Sequence, residues 1–319
     1  MTSAPARAWA GGDGSVAVLS EEVLEASQRR EPIVALESTI ISHGLPRPRN
    51  LEVAHELESI VQKNGACPAT IAVLDGVPHI GLGPAELQRI SSEEGTRKLG
   101  LRDLAVAMAT RSTGATTVSA TAFLAAACGI RVFATGGVGG VHRGWLQSWD
   151  ESADLLALSR THVTIVAAGV KSILDIPATV ERLETLNVTV IGYGTAEFPG
   201  FYLHSSGHRL DWRVDSPATV AEVMRCQDAL GDQGALFVAN PVPPELQLDP
   251  ALHDRVLAEA LDSAEHAGIG GQALTPYLLD RMVRGTDGAA LEANLAAVRG
   301  NCALAATIAA EWRRVGGER

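Results

Sequence analysis

Strands alternating with amphipathic helices along most of the 319 residues predict an α/β fold, a largely parallel or mixed sheet with helices on both faces. Short apolar runs rich in β-branched residues recur, IVAL at 33–36, VTIVA at 163–167 and ALFVA at 235–239. This is the pattern of strands buried on both sides. Ala, Val, Leu and Gly abound while aromatics make up only 4% of the chain, which suits helices packed closely on a sheet.

The bulk properties exclude several classes of function. An apolar fraction of 46% and a charged fraction of 20% are those of a globular protein with a substantial core. The net charge of −11 argues against nucleic acid or an anionic membrane as partner, so a phosphorylated substrate would need a local positive site. Four scattered cysteines (Cys67, Cys128, Cys226, Cys302) have no metal-finger spacing, and Cys128 and Cys302 fall in apolar helical patterns. The opening MTSAPARAWAGGDG has no apolar core of secretory length, so residues 1–15 read as a disordered tail and 16–319 as one domain. No apolar stretch reaches membrane-spanning length. The chain reads as soluble and cytoplasmic.

Taken in order, Ser20 to Arg30 form a first helix with Ser20 as its cap and Glu21 and Glu22 in its first turn. Ile33 to Leu36 make a strand ending at Glu37, Ser38 and Thr39, and HGLPRPRN is a loop from which Asn50 caps a helix to about Lys63. Ala69–Leu74 and Val77–Leu82 pair around Asp75-Gly76. Pro84 starts a helix, and Ser91 to Arg102 read as a charged loop. A helix over Thr116–Cys128, a strand over Arg131–Ala134 and the run TGGVGGVHRG follow. Beyond the strand at 163–167, Ser172 caps a helix whose first turn holds Asp175. Pro177–Leu186 are helical, Val188–Ile191 extended, and Pro217 opens a helix to about Leu230. Asp249 to Trp312 are helical with breaks at Gly268–Gly271 and Gly285–Gly288.

The chemistry-bearing residues collect where strands end, the edge at which open α/β sheets bind ligands. Only three residues are lysine, Lys63, Lys98 and Lys171, against 23 arginines. Lys171 follows an apolar strand and Gly169, where partial burial would expose a nucleophilic amine, chemistry that a guanidinium cannot perform. It could equally be a helix-start lysine reaching for water. Glu37 closes the strand in ALEST, either as a general acid or base or as an edge carboxylate capping the next element. Gly136 to Gly144 fit neither GxGxxG nor a Walker loop, yet their N–H groups, with His142 and Arg143, could cradle a phosphate or simply make a tight turn. Asp150 and Asp154 suit a hard cation such as Mg²⁺ or Mn²⁺, or serve as helix-dipole partners. Lys98 in TRKLGLRDL reads as a solvated lysine, and Asn294 could read a planar base or bond within the core. No HExxH pair or GxSxG elbow is present, which disfavours zinc and serine hydrolases.

Together these stretches resemble the pseudouridine-5'-phosphate glycosidase family, the indigoidine synthase A-like proteins. The resemblance runs through ALESTIISHGLPRPRN, RKLGLRDL, GATTVSATAFLAAACGIRVFATGGVGGVHRG, DESADLLAL, VAAGVKSILDIPATVERLETLNV, FPGFYLHSSG, GALFVANPVP, ALTPYLL and LEANLAAVRGN. It implies a three-layer α-β-α sandwich, a homotrimer, and reversible cleavage of the C–C glycosidic bond of pseudouridine 5'-phosphate to uracil and ribose 5-phosphate. By the same resemblance Lys171 is the imine-forming nucleophile and Glu37 the proton donor and acceptor. Lys98, Val118, Ser152, Ala153 and Asp154 bind substrate, and Asp150 holds Mn²⁺, with Mg²⁺ or another divalent ion as the alternative. His142 and Asn294 are assigned to the sugar phosphate and to uracil. Two other readings compete: another Schiff-base lyase acting on a phosphosugar, as an aldolase does, and a non-catalytic sugar-phosphate sensor.

Overall fold

The computed structural model describes residues 17–270 and 274–316. The expected tail at 1–15, and Gly271 of the expected break, lie outside them. After β1 (Val18–Leu19), Ser20 caps α1 (Glu21–Gln28) as predicted, its Oγ accepting the Val23 N–H at 3.2 Å. The strand β2 (Ile33–Glu37) leads into a π-helical turn, Ile40–Gly44, which takes in the first two residues, His43 and Gly44, of the expected loop. Helix α2 (Arg49–Lys63) starts one residue before its expected cap. Asn50 instead points inward, its Nδ2 donating to the carbonyls of Ile41 and Ser91 at 2.9 and 2.8 Å. The predicted hairpin is β3 (Cys67–Leu74) and β4 (Val77–Ile80), with Asp75 and Gly76 both at positive φ.

Helix α3 (Pro84–Ser92) is followed by two strands that the sequence had not shown, β5 (Arg97–Leu99) and β6 (Gly114–Thr116), on either side of α4 (Leu104–Ala109). Three-residue strands carry too few positions for a period-two pattern to show, and Arg97 and Lys98 make β5 look like loop. Buried Leu99 is the part that betrays it. Next come α5 (Val118–Ala127), β7 (Val132–Ala134), the single turn α6 (Trp145–Ser148) and α7 (Ala153–Leu158). Thr116 thus ends a strand rather than opening a helix.

Strand β8 (Thr164–Ala167) delivers the chain to Lys171, but the cap of the following α8 (Ile176–Thr185) is Asp175, whose side chain accepts the Ala178 N–H at 3.0 Å. Ser172 does not cap; its hydroxyl is buried without a partner. Pro177 suits the first turn of a helix begun by Asp175, because that turn needs no N–H there. The remainder is β9 (Thr189–Tyr193), β10 (Arg213–Val214), α9 (Pro217–Leu230), β11 (Leu236–Ala239), α10 (Pro250–His266), α11 (Leu274–Gly285) and α12 (Ala289–Arg314).

The described strands form one sheet of eleven, in the order β1-β4-β3-β2-β7-β8-β11-β9-β10, with β6 beside β3 and β5 beside β6. From β3 to β10 every neighbour is parallel, while β4 and β6 run against β3. Alternate residues face opposite layers. Val34, Leu36, Val132, Val166 and Val238 meet α2, α9 and α12, whereas Ala35, Ile71, Phe133, Ile165 and Phe237 meet α1, α5, α7 and α10. The fold is therefore a three-layer α-β-α sandwich. Each fully buried Val, Leu, Ile or Phe contributes about 1.5–3 kcal/mol, so both layers bind the sheet firmly. No helix among the described residues is long and apolar enough to cross a membrane.

Candidate active site

Strand register brings the site together. Glu37, the last residue of β2, pairs with Ile71 of β3; one residue on, Ala72 pairs with Ala115, which pairs with Lys98. The β5–β6 ribbon therefore takes over from β2 along β3 and carries Lys98 past the end of β2. Ser38 and Thr39 bolt it in place. The Ser38 Oγ donates to the Ile71 carbonyl at 2.7 Å and accepts the Thr116 N–H at 2.9 Å, and the Thr39 Oγ1 donates to the Thr116 carbonyl at 2.6 Å.

Two strands further along, β8 ends at Ala167 and the chain bends at Gly169, whose φ is +82°. A side chain there would collide with the carbonyl oxygen of Pro199, so only glycine allows both the bend and the close approach. Lys171 follows, its N–H donating to the Val138 carbonyl at 3.1 Å. It is half-buried, and among the described residues its ammonium has no ion pair within 4.0 Å.

Glu37, Lys98, Lys171 and Asn294 line one cavity of about 420 Å³, a size that suits a small ligand. The turn Thr135–Gly137 and the face of α11 bearing Thr275, Leu279 and Val283 complete the wall. Burial pushes the Glu37 carboxyl above its ordinary range; the Lys171 charge and a short hydrogen bond donated by the Thr135 hydroxyl oppose this. Lys98 is exposed at the cavity mouth, where partial desolvation of its ammonium lowers it from its ordinary range and the nearby Lys171 charge adds to the effect against Asp154 and Glu37. The Asn294 Oδ1 is buried without a partner, close against Gly136, where an added Cβ would come within 2.7 Å of it. An unsatisfied amide oxygen at a cavity wall is costly unless a ligand donates to it.

The other expected site residues stand outside this wall. Asp154 is 6% exposed, and its two oxygens accept the Ser119 N–H at 2.9 Å and the Gly139 N–H at 3.0 Å. Its charge still reaches Glu37 and Lys98, while each of its oxygens accepts a backbone N–H. Val118 opens α5 next to Ser119, Ser152 caps α7, and Ala153 is that helix's first residue. The glycine run is no open cradle either. The N–H groups of Val138, Gly139, Val141 and His142 bond within the protein, and Gly136 and Gly137 are the part of the run that reaches the cavity. His142 and Arg143 do not line it.

Asp150 is half-buried, with the His142 Nδ1 at 4.0 Å from one of its oxygens. Glu151 is committed to Arg182 through two bonds of 2.8 Å. Among the described residues no three His, Cys, Asp or Glu side chains gather as an ion cage. One free carboxylate with one imidazole fits a hard cation that keeps most of its waters, the habit of Mg²⁺ and Mn²⁺. Burial raises the Cys302 thiol to about 12 and the Cys128 thiol to about 11, so neither offers a thiolate.

Residues 22–311 match the family described as Indigoidine synthase A like protein. The chain belongs to that family. Among the relatives of this indigoidine synthase A-like protein, one from Streptomyces griseus named pseudouridine-5'-phosphate glycosidase is 64% identical over 293 residues, 92% of this chain and 91% of the relative. A Frankia alni protein of the same name is 57% identical, over 92% of this chain and 82% of its own length. Two solved structures share the fold. The prealnumycin C-glycosynthase AlnA in complex with ribulose 5-phosphate superimposes with a TM-score of 0.89 at 33% identity, over 96% of this chain and all (100%) of that one. An indigoidine synthase A-like protein from Thermotoga maritima gives 0.84 at 34% identity, over 94% of this chain and 98% of that one.

Sequence reasoning missed Thr135, His43 and the α11 face as parts of the site. The signal for Thr135 was present, a hydroxyl at the carboxyl end of a buried strand just before two glycines. His43 lines the cavity with its Nε2 donating to the Thr96 carbonyl at 3.0 Å, and nothing local distinguished it within a proline-rich loop.

Proposed function

We propose that this indigoidine synthase A-like protein reversibly cleaves the C–C glycosidic bond of pseudouridine 5'-phosphate, giving uracil and ribose 5-phosphate through a lysine imine. One observation carries the proposal: two of only three lysines meet a raised carboxyl in a single cavity, with the Lys171 charge felt at both Glu37 and Lys98. The names of the relatives supply the substrate.

The bond to be broken joins two carbons, so a pair of carboxylates acting on a glycosidic oxygen has nothing to protonate. A lysine adduct solves this. Glu37, whose carboxyl burial shifts toward its protonated form, gives its proton to the ring oxygen as the C1'–O4' bond opens, while the uracil N1 proton passes to water and leaves the electrons that drive the opening. The Lys171 amine then adds to C1', and the ammonium proton it sheds goes to the Glu37 carboxylate as N1 takes a proton back from water. Delivery of that Glu37 proton to C5 of the base lets the nitrogen lone pair form the C1'=N bond while the C1'–C5 bond breaks, releasing uracil. Water adds to the imine, ribose 5-phosphate departs and the amine is restored.

Lys98 supplies the local positive charge that a phosphate needs in an acidic protein. The Asn294 oxygen, short of a donor, is matched by a ring N–H of uracil. Ser152, Ala153, Asp154 and Val118 form the bed behind the substrate, and His142 extends the site toward the sugar phosphate. Asp150, with His142 beside it, would hold one Mn²⁺ or Mg²⁺ whose bound water orders the carboxylates and solvent of the site. Manganese titration followed by electron paramagnetic resonance of the free ion is expected to show about one site per chain, lost in Asp150→Ala; retention in that variant would place the ion elsewhere. A homotrimer belongs to the same proposal. Leu146 at 69% and Trp149 at 81% exposure, beside Asp150, are the kind of apolar surface a second subunit covers.

The direct test is to incubate the protein with pseudouridine 5'-phosphate and follow uracil. Borohydride with ribose 5-phosphate is expected to attach a reduced pentose to the peptide containing Lys171. Uracil release with labelling at Lys98 instead would keep the reaction and overturn the nucleophile. Labelling at Lys171 with no uracil released would favour a different Schiff-base lyase. The likeness to a C-glycosynthase makes bond formation a natural assay as well: uracil and ribose 5-phosphate are expected to give back the nucleotide.

A further inference from the structure

Two asparagines of helix α12, Asn294 and Asn301, are seven residues apart and hence on one helical face. Asn294 reaches the cavity against Gly136. Asn301 does not reach the cavity. It is fully buried at 0% exposure, with its Nδ2 donating to the Thr135 carbonyl at 2.7 Å and standing 3.5 Å from that of Gly136. Its Oδ1 accepts the Nδ2 of Asn240, just beyond β11, at 2.8 Å. The Asn240 N–H in turn donates to the Ala167 carbonyl at the end of β8, at 2.9 Å.

A buried amide is expensive unless both ends are satisfied; here the turn that follows β7 satisfies the NH₂ end and Asn240 satisfies the oxygen. That turn carries the hydroxyl bonded to Glu37. We propose that Asn301, oriented by Asn240, is a positioning residue: it pins the Thr135–Gly136 turn so that the Thr135 hydroxyl stays on the proton-transfer carboxylate. The two amides link the ends of β7, β8 and β11 beneath the cavity, so the seating of α12 governs both the ligand-reading amide and the partner of Glu37.

The orientation follows from chemistry. The Thr135 carbonyl can only accept, so the Asn301 NH₂ must face it, and its oxygen is left to take a donor from Asn240. The charged groups felt at Glu37 are Lys171, Asp154 and Lys98; none contacts Asn301 or Asn240, so substitution at either amide leaves those charges in place. Replacing the amide loosens the turn, weakens the Thr135 bond, and removes an interaction that favours the carboxylate.

The proposal rests on Glu37 being the proton carrier, and its test is chosen to need no substrate. The infrared absorption of the protonated Glu37 carboxyl, identified by its loss in Glu37→Gln, is followed against pH in the full-length protein. Asn301→Ala is expected to move the midpoint upward by roughly half to one pH unit, in the same direction as Thr135→Val. Asn240→Ala, at a half-buried position, is expected to move it the same way, and decides the matter should Asn301→Ala fail to fold. A lowered melting temperature with an unmoved midpoint would overturn the proposal, as would Thr135→Val leaving the midpoint unchanged. With pseudouridine 5'-phosphate, kcat is expected to fall more than KM rises. Wild-type protein without activity on that nucleotide would defeat the proposed function, and the infrared titration would still decide the role of Asn301.

Discussion

Lys171→Ala is expected to lower turnover of pseudouridine 5'-phosphate by at least about 10³-fold, while the thermal midpoint stays within a few degrees of wild type. The two halves of this expectation have separate reasons. The amine is the atom that becomes bonded to C1', and no neighbouring group can take its place; Lys98 lies in the same cavity but on the β5–β6 ribbon, a different wall. The fold survives because the ammonium makes no ion pair or hydrogen bond with a described side chain that its loss would strand. Removing it should also raise the Lys98 amine, which loses a repelling neighbour, and raise the Glu37 carboxyl further, which loses an attracting one. Retained turnover in this variant would rule out the proposed covalent adduct, whatever the substrate.

Glu37→Gln should cost about 10²–10⁴-fold in turnover, the usual worth of a positioned proton carrier. It should also make the folded state more stable at neutral pH, which separates a functional residue from a structural one. Burial raises the folded-state carboxyl above its ordinary value of 4.5. Below that value the group is protonated whether the chain is folded or not, and the variant and wild type should melt alike. As pH rises past it, the unfolded chain ionises while the folded one holds its proton, so wild type loses stability until the folded group ionises too. Glutamine is never charged and escapes this loss. Thermal melts at pH 4 and pH 7 read the difference directly; a variant less stable at neutral pH would mean that the carboxylate's bonds to its neighbours outweigh its burial.

The same two residues show why the site was partly legible before the structure was known. Both stand at the carboxyl ends of apolar strands, and Lys171 brings a residue type that surface duty, met by arginine, did not require. Their relation was not legible. Glu37 and Lys171 belong to strands separated by β7, while Lys98 joins them through a ribbon too short and too charged to show as strands. Thr135, which bonds the carboxylate, and Asn301, which bonds the turn carrying Thr135, lie 98 and 264 positions from Glu37, far beyond any local pattern.

What the sequence by itself determined was what each segment could become. Alternation and β-branching specified the buried strands, Ser20 and the glycine breaks specified helix ends, and the scarcity of lysine singled out Lys171. These are properties of neighbouring residues and of backbone preference, which act over a few positions. Only the tertiary structure decided which strand ends lie side by side, that Asp175 rather than Ser172 caps α8, and that Asp154 spends both oxygens on backbone N–H groups. Those outcomes depend on hydrogen bonds and desolvation between distant segments, and such energies exist only once the sheet has its order.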